Sequence, residues 1–208
     1  MTAREYLIFC GELGGIPGRE CALRADELLE LVGLLGEGHR IKGYSRGMKQ
    51  RLGIAQALMH RPRLLICDEP TSALDPAGRR EILDILSGIS ERTTVLFSTH
   101  ILSDVERICT DVAFLNEGKA ELCGKLADIK AIYRKDEYEL KVATRAEISA
   151  ILAAFPRMRE GELELSFTVN DHDPSHVLRF LADKNIVPLS FSTAEPTLEA
   201  LFMEVAKK

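Results

Sequence analysis

Two carboxylates and a histidine are the residues whose types and spacing could do chemistry in this chain. Asp68 and Glu69 are adjacent at the end of the apolar run Leu64–Cys67, and His100 follows a second apolar run, Thr94–Phe97. If both runs are parallel strands, the three side chains gather beyond the strands' carboxyl ends, where open α/β sheets bind ligands. A carboxylate there can hold Mg²⁺, largely through water. A second carboxylate one residue later points elsewhere and can polarise an attacking water as general base. A histidine at the next strand end can touch a γ-phosphate or that water, which is the plan of phosphoryl transfer. Taken singly, an Asp-Glu pair is a polar strand end and a lone histidine is structural. Their combination favours chemistry.

The elements that must position these groups follow from hydrophobic spacing. Arg4–Gly11 reads as a short helix running into the glycine-rich surface turn GELGGIPGRE. From Glu20 to Val32 an amphipathic helix carries Leu28, Leu31, Val32 and, just beyond, Leu35. Ser45 is a good N-cap for a helix reaching His60, with Met48, Leu52, Ala55 and Leu58/Met59 on one face and Lys49, Gln50 and Arg51 on another. The continuous apolar character of Leu64–Cys67 and Thr94–Phe97 predicts buried strands of a parallel sheet. Helices over Ala77–Ser90 and Ser103–Cys109 complete a strand–helix–strand–helix order, the grammar of an α/β domain. Val112–Leu115 and Lys119–Leu122, joined by Asn116-Glu117-Gly118, read as a hairpin.

Past Ile129-Lys130 the pattern changes. A strand over Tyr138–Val142, a helix over Arg145–Phe155 and strict alternation of Leu163, Leu165, Phe167 and Val169 come first. A helix over Asp173–Lys184, an extended stretch Ile186–Phe191 and a helix over Thr197–Lys207 follow. The order β-α-β-α-β-α describes a small α+β unit, with a ferredoxin-like arrangement among those it allows. Charges crowd at Arg134–Glu137, which places a boundary there and gives domains of residues 1–132 and 137–208. In NDHDPSH, His172 and His176 flank Asp171 and Asp173. A capped turn outweighs a metal site there, since Pro174 starts a helix.

Hydrophobic residues make up 46% and charged residues 28% of the 208, which suits a globular protein with a real core. The net charge of −5 disfavours a nucleic-acid partner, because phosphate contacts need a basic face. No apolar run approaches the ~18–20 residues that cross a bilayer. The N-terminal MTAREYLIFCGELGG does not read as a signal peptide, being interrupted by Glu5 and Glu12. Cysteines 10, 21, 67, 109 and 123 include no C-x-x-C pair, which points to reduced, mostly buried thiols.

Four segments together resemble the ATP-binding cassette (ABC) ATPase family, over about residues 1–125. YSRGMKQRL (Tyr44–Leu52) is similar to its signature motif, and LLICDE (Leu64–Glu69) to its Walker B strand with the catalytic glutamate. SALD (Ser72, Ala73, Leu74, Asp75) is similar to its D-loop and STH (Ser98–His100) to its H-loop. The C-terminal unit, ending in PTLEALFMEV, resembles the accessory domain of ATPases serving ABC-2-type exporters. The resemblance implies ATP and Mg²⁺ as cofactors. Asp68 would hold Mg²⁺ through water, Glu69 would activate the hydrolytic water and His100 would contact the γ-phosphate. Ser45, Arg46, Gly47, Met48 and Gln50 would reach across a head-to-tail dimer to the nucleotide of a second ATPase subunit, identical or not. Asp75 would contact that subunit and couple the sites. The helix N-terminus at Ser45 and Gly47 suits a phosphate physically, and Gly47 lets backbone approach closely. The family has glycine where Arg46 stands, so a bulky cation replaces bare backbone. A membrane subunit would be the transporter partner, with this chain on the cytoplasmic side, peripheral on the inner face of the cell membrane.

One part is missing. A loop of the form G-x-x-x-x-G-K-[ST] cradles phosphates with its amides and lysine. The nearest candidate, GKAELCGKL (Gly118–Leu126), has five residues between its glycines and Leu126 where a hydroxyl is needed, so it reads as hairpin and loop. The resemblance therefore implies a partial P-loop NTPase cassette without its N-terminal part, with an exposed sheet edge and apolar surface, inactive or weakly ATP-binding by itself. An alternative is a non-catalytic or regulatory module lending its signature to another cassette, against which intact Glu69 and His100 speak. A chromosome-segregation ATPase would need long coiled coils, and no sustained heptad run exists.

Overall fold

The computed structural model describes residues 1–132, 136–194 and 198–205, which cluster into two compact units, Met1–Cys109 and Thr110–Lys208. The expected boundary near Arg134–Glu137 falls largely on residues 133–135, outside the described set, as do Pro196 and Thr197.

The first unit begins with helices α1 (Ala3–Leu13), α2 (Gly18–Leu31) and α3 (Arg46–Ala57). Thr2 and Glu5 form a reciprocal capping box at the start of α1. The buried stripe of α2 is Cys21, Ala25, Leu28 and Leu29, continued by Val32 after its end, whereas Leu31 and Leu35 are exposed. The expected stripe was therefore rotated, because small Cys21 and Ala25 carry the contact. Gly11 is not part of a surface turn. It is buried inside α1, where a Cβ would meet Met59 Cε at 2.6 Å and Cys21 Sγ at 2.7 Å, so only glycine admits this approach. Arg51 of α3, expected on a polar face, donates from Nη1 to the carbonyls of Val32 and Gly33, at 3.1 and 3.4 Å. It thereby satisfies backbone acceptors just past the end of α2.

Strand β1 (Leu64–Asp68), helix α4 (Pro76–Ile89) and strand β2 (Thr94–Ser98) form the expected parallel unit, with Leu65 paired to Val95 and Asp68 to Ser98. Helix α5 (Leu102–Ile108) follows. The strands are not buried on both faces as expected. Leu65 is buried and Cys67, Val95 and Phe97 are half-buried, while Leu64, Ile66 and Leu96 are exposed. Residues of opposite parity face opposite sides of a sheet, and in this unit only one side is covered by the core.

The second unit opens with a hairpin of β3 (Asp111–Asn116) and β4 (Lys119–Lys125). Its two-residue turn, Glu117-Gly118, has both φ angles positive, at 48° and 77°, the geometry that matches strand twist. Helix α6 (Leu126–Ile132) comes next, so Gly118–Leu126 is the turn, strand and helix start rather than a phosphate loop. Then β5 (Glu137–Lys141), α7 (Arg145–Ala154), β6 (Arg159–Glu160), β7 (Glu164–Thr168), α8 (Pro174–Asp183), β8 (Ser190–Thr193) and α9 (Leu198–Val205) follow. The four strands lie in the order β6-β7-β5-β8 with antiparallel neighbours throughout. That is the split β-α-β arrangement of a ferredoxin-like unit. Its core of Leu140, Val142, Ile148, Ile151, Leu165, Phe167, Val177 and Leu181 lies on one face of the sheet. Strand β6, two residues long, was not expected from the sequence.

Candidate functional site

The ends of β1 and β2 carry the site. Because the strands are parallel and in register, Asp68 lies directly beside Ser98, whose hydroxyl donates to Asp68 Oδ1 at 2.5 Å. The Glu69 amide donates to Ser98 twice, to Oγ at 3.2 Å and to the carbonyl at 3.1 Å. The chain then turns sharply, with Glu69 at φ 46° and Ala73 at φ 54°, a region uncommon for residues with a Cβ. This turn throws the Glu69 side chain towards the next strand end. His100 Nδ1 stands 2.8 Å from Glu69 Oε1. With the carboxylate ionised, Nδ1 carries the hydrogen and donates. The His100 side chain is 72% exposed and that of Glu69 34%. Glu69 Oε2, by contrast, is shielded from solvent and has no hydrogen-bond partner.

The other candidate residues lie on neighbouring elements of this unit. Ser45 caps α3 by accepting from the Met48 amide at 3.2 Å. Arg46 is exposed in the first turn, while Gly47, Met48 and Gln50 are half-buried. A Cβ on Gly47 would have Leu74 Cδ2 as its nearest neighbour, at 3.9 Å, so the start of α3 sits beside the Ser72–Asp75 loop. Asp75 caps α4, accepting from the Gly78 amide at 3.3 Å, with Pro76 in the first turn.

Sequence reasoning missed a buried polar cluster behind this loop. Thr71 and Asp104 are each 1% exposed and joined by a 2.7 Å hydrogen bond, and Arg79 donates to the same carboxylate. A lone acidic residue on a short helix gives little warning of burial, and only its place four residues after His100 could have drawn attention. The Asp171–His176 segment is a capped turn as expected. Asp173 accepts from the Ser175 amide at 2.8 Å and the Thr168 hydroxyl donates to Asp171 at 2.7 Å, which holds the Asp171 carboxyl below its usual range. Among the described residues no group of three or more histidine, cysteine or carboxylate side chains is placed to hold a metal ion.

The family model described as "ABC transporter" matches residues 1–72, and that described as "ATP-binding protein DrrA1-3-like, C-terminal domain" matches residues 124–206. An uncharacterized ABC transporter ATP-binding protein of Bacillus subtilis, YxlF, is 38% identical over 99% of this chain and 71% of its own length. The linearmycin resistance ATP-binding protein LnrL of the same organism is 34% identical over 99% and 70%. The daunorubicin resistance ATP-binding protein DrrA2 of Streptomyces coeruleorubidus is 31% identical over 99% and 67%. Among solved structures, a dimeric ATP-binding cassette in a post-hydrolysis state, bound to ADP and Pi, superposes with a TM-score of 0.52 at 29% identity. That match covers 61% of this chain and 57% of the cassette, so the chain spans little more than half of that protein's length. An ATP-binding subunit of an ABC transporter gives 0.53 at 31% identity, over 64% and 56%. With both units matched and near-complete alignment to such relatives, this chain belongs to the ATP-binding proteins of ABC transporters.

Proposed function

We infer that the chain supplies the hydrolytic half of an ATPase site that powers export through a separate membrane subunit. The observation that carries this is the divided role of the Glu69 carboxylate. One oxygen is held by His100, and the other is shielded and unpartnered. A buried acceptor without a hydrogen costs free energy unless something donates to it, and a water molecule at this strand end would do so. Glu69 would then take that water's proton as its oxygen attacks the γ-phosphorus and the bond to the ADP oxygen breaks, with His100 holding the carboxylate in position. Asp68 and Ser98 offer the hard oxygen atoms that suit Mg²⁺, so the donor set fits this cation. When bound, Mg²⁺ held at Asp68 would neutralise charge developing on the γ-phosphoryl group of ATP.

Ser45, Arg46, Gly47, Met48 and Gln50 present a helix N-terminus to the nucleotide of a second ATPase subunit, and Asp75 meets that subunit. The family's dimeric neighbour supports this arrangement. The resistance names of two relatives support an exporter, with residues 137–208 as its accessory domain. Among the described residues no helix is long and apolar enough to cross a membrane, and the reading places the chain at the inner face of the cell membrane against the membrane subunit. No G-x-x-x-x-G-K-[ST] occurs among the 208 residues, so the chain alone lacks a grip on the phosphates. The test is Glu69→Gln in a form of the chain joined upstream to the phosphate-loop segment of a relative. ATP hydrolysis is expected to fall by roughly 10²–10⁴-fold with nucleotide binding kept. Hydrolysis at the parent rate would instead favour a module that only lends its signature.

A further inference from the structure

We propose that Asp104 is a positioning residue, a buried carboxylate that locks the loop carrying Glu69 so that Glu69 meets His100. This rests on the reading of Glu69 and His100 as the hydrolytic pair. Asp104 lies four residues after His100, on α5, and is 1% exposed. Both of its oxygens are engaged. Oδ2 accepts from the Thr71 hydroxyl at 2.7 Å, and Oδ1 from Arg79 Nε at 2.6 Å. Arg79 Nη2 donates further to the Ser103 hydroxyl at 2.7 Å.

Each partner sits where it constrains the site. Thr71 stands two residues past Glu69 and is itself 1% exposed. It lies between the two left-handed residues of the loop, Glu69 at φ 46° and Ala73 at φ 54°. Such backbone persists only where its surroundings over-determine it. The local backbone bonds are few: the Ser72 amide to the Glu69 carbonyl at 3.1 Å, and the Leu74 amide to that of Thr71 at 3.4 Å. The Thr71 side chain ties the loop's middle to α5 by a hydrogen bond. Arg79 lies in the early turns of α4, the helix capped by Asp75, and is 30% exposed. Asp104 therefore fastens the Glu69–Asp75 loop, the start of α4 and the helix after His100 to one point. A buried carboxylate is tolerated because a guanidinium compensates it and both oxygens are bonded, and removing one partner leaves it uncompensated.

The test needs no nucleotide, so its failure is separate from failure of the hydrolytic reading. In the 208-residue chain, the ¹⁵N signal of His100 Nδ1 reports the bond to Glu69, and Glu69→Gln defines its position when the carboxylate is gone. Thr71→Val keeps the buried volume and removes the hydroxyl, whereas Thr71→Ser keeps the hydroxyl. The expected result is a Thr71→Val signal displaced to the Glu69→Gln position, with Thr71→Ser at the parent position and both variants folded by circular dichroism. Should Thr71→Val not fold, Arg79→Gln at the half-exposed end of the network is read instead, and the same displacement is expected. A parent-like signal in the folded Thr71→Val or Arg79→Gln chain would overturn the proposal. So would a Thr71→Ser signal displaced as far as that of Thr71→Val, since that marks a packing role alone.

Discussion

At Glu69 the backbone accepts a left-handed turn so that one carboxylate oxygen reaches His100 and the other is left shielded. Strain and an unmet hydrogen bond at the same residue are features that folding alone does not favour, and they cluster where function holds them. The cysteines behave oppositely. Burial, with the Asp104 charge adding to it, pushes the Cys109 thiol up to about 11, and burial also raises Cys67. Thiolate is the reactive form, so alkylation of Cys109 at pH 8 is expected to run roughly a hundredfold slower than that of an ordinary thiol, and to rise about tenfold per pH unit up to its pKa. Mass-resolved labelling checks this, with exposed Cys123 modified first. Asp68, Glu69 and His100 were legible because side-chain type and strand-end position both point to them. Thr71 and Asp104 were not, because burial of a threonine and an aspartate leaves no periodic signal.

At the level of elements, α3 depends on its first turn. Ser45 accepts from the Met48 amide, and no acidic residue lies in that turn to share the task. Ser45→Ala is expected to cost about 1 kcal/mol, seen as a lowered thermal midpoint, because one helix N–H loses its partner. Under the proposed reading the same residue would also face the nucleotide of a second subunit, so this substitution would touch stability and binding together. Helices with a clear apolar stripe, such as α4 with Ile82, Leu83, Leu86 and Ile89 buried, were legible to within about a turn. The second face of β1 and β2 was not, since an apolar run such as Leu64–Cys67 says nothing about whether neighbours cover both sides. Strand β6 was invisible because two residues, Arg159 and Glu160, are too few to alternate.

Across the whole molecule, the described residues hold two hydrophobic cores with no shared member, one in each unit. Phe167 is 2% exposed in the second core and stacks near Tyr138, with ring centroids 5.5 Å apart. Phe167→Ala is expected to cost about 3–5 kcal/mol. Scanning calorimetry should show this as one lowered transition, with the transition of the first unit unmoved. The exposed Leu64, Ile66 and Leu96 form an apolar sheet face in the first unit, right beside the strand ends that carry Asp68 and Ser98. The carboxylates proposed to be catalytic thus stand in a chain whose 208 residues include no G-x-x-x-x-G-K-[ST] loop. Calorimetric titration with Mg-ATP, of this chain and of the same chain joined upstream to a relative's phosphate-loop segment, tests that combination most directly. Binding by the joined form alone is the expected result. Micromolar binding by the 208-residue chain itself would contradict it and place a phosphate site among residues not assigned to one.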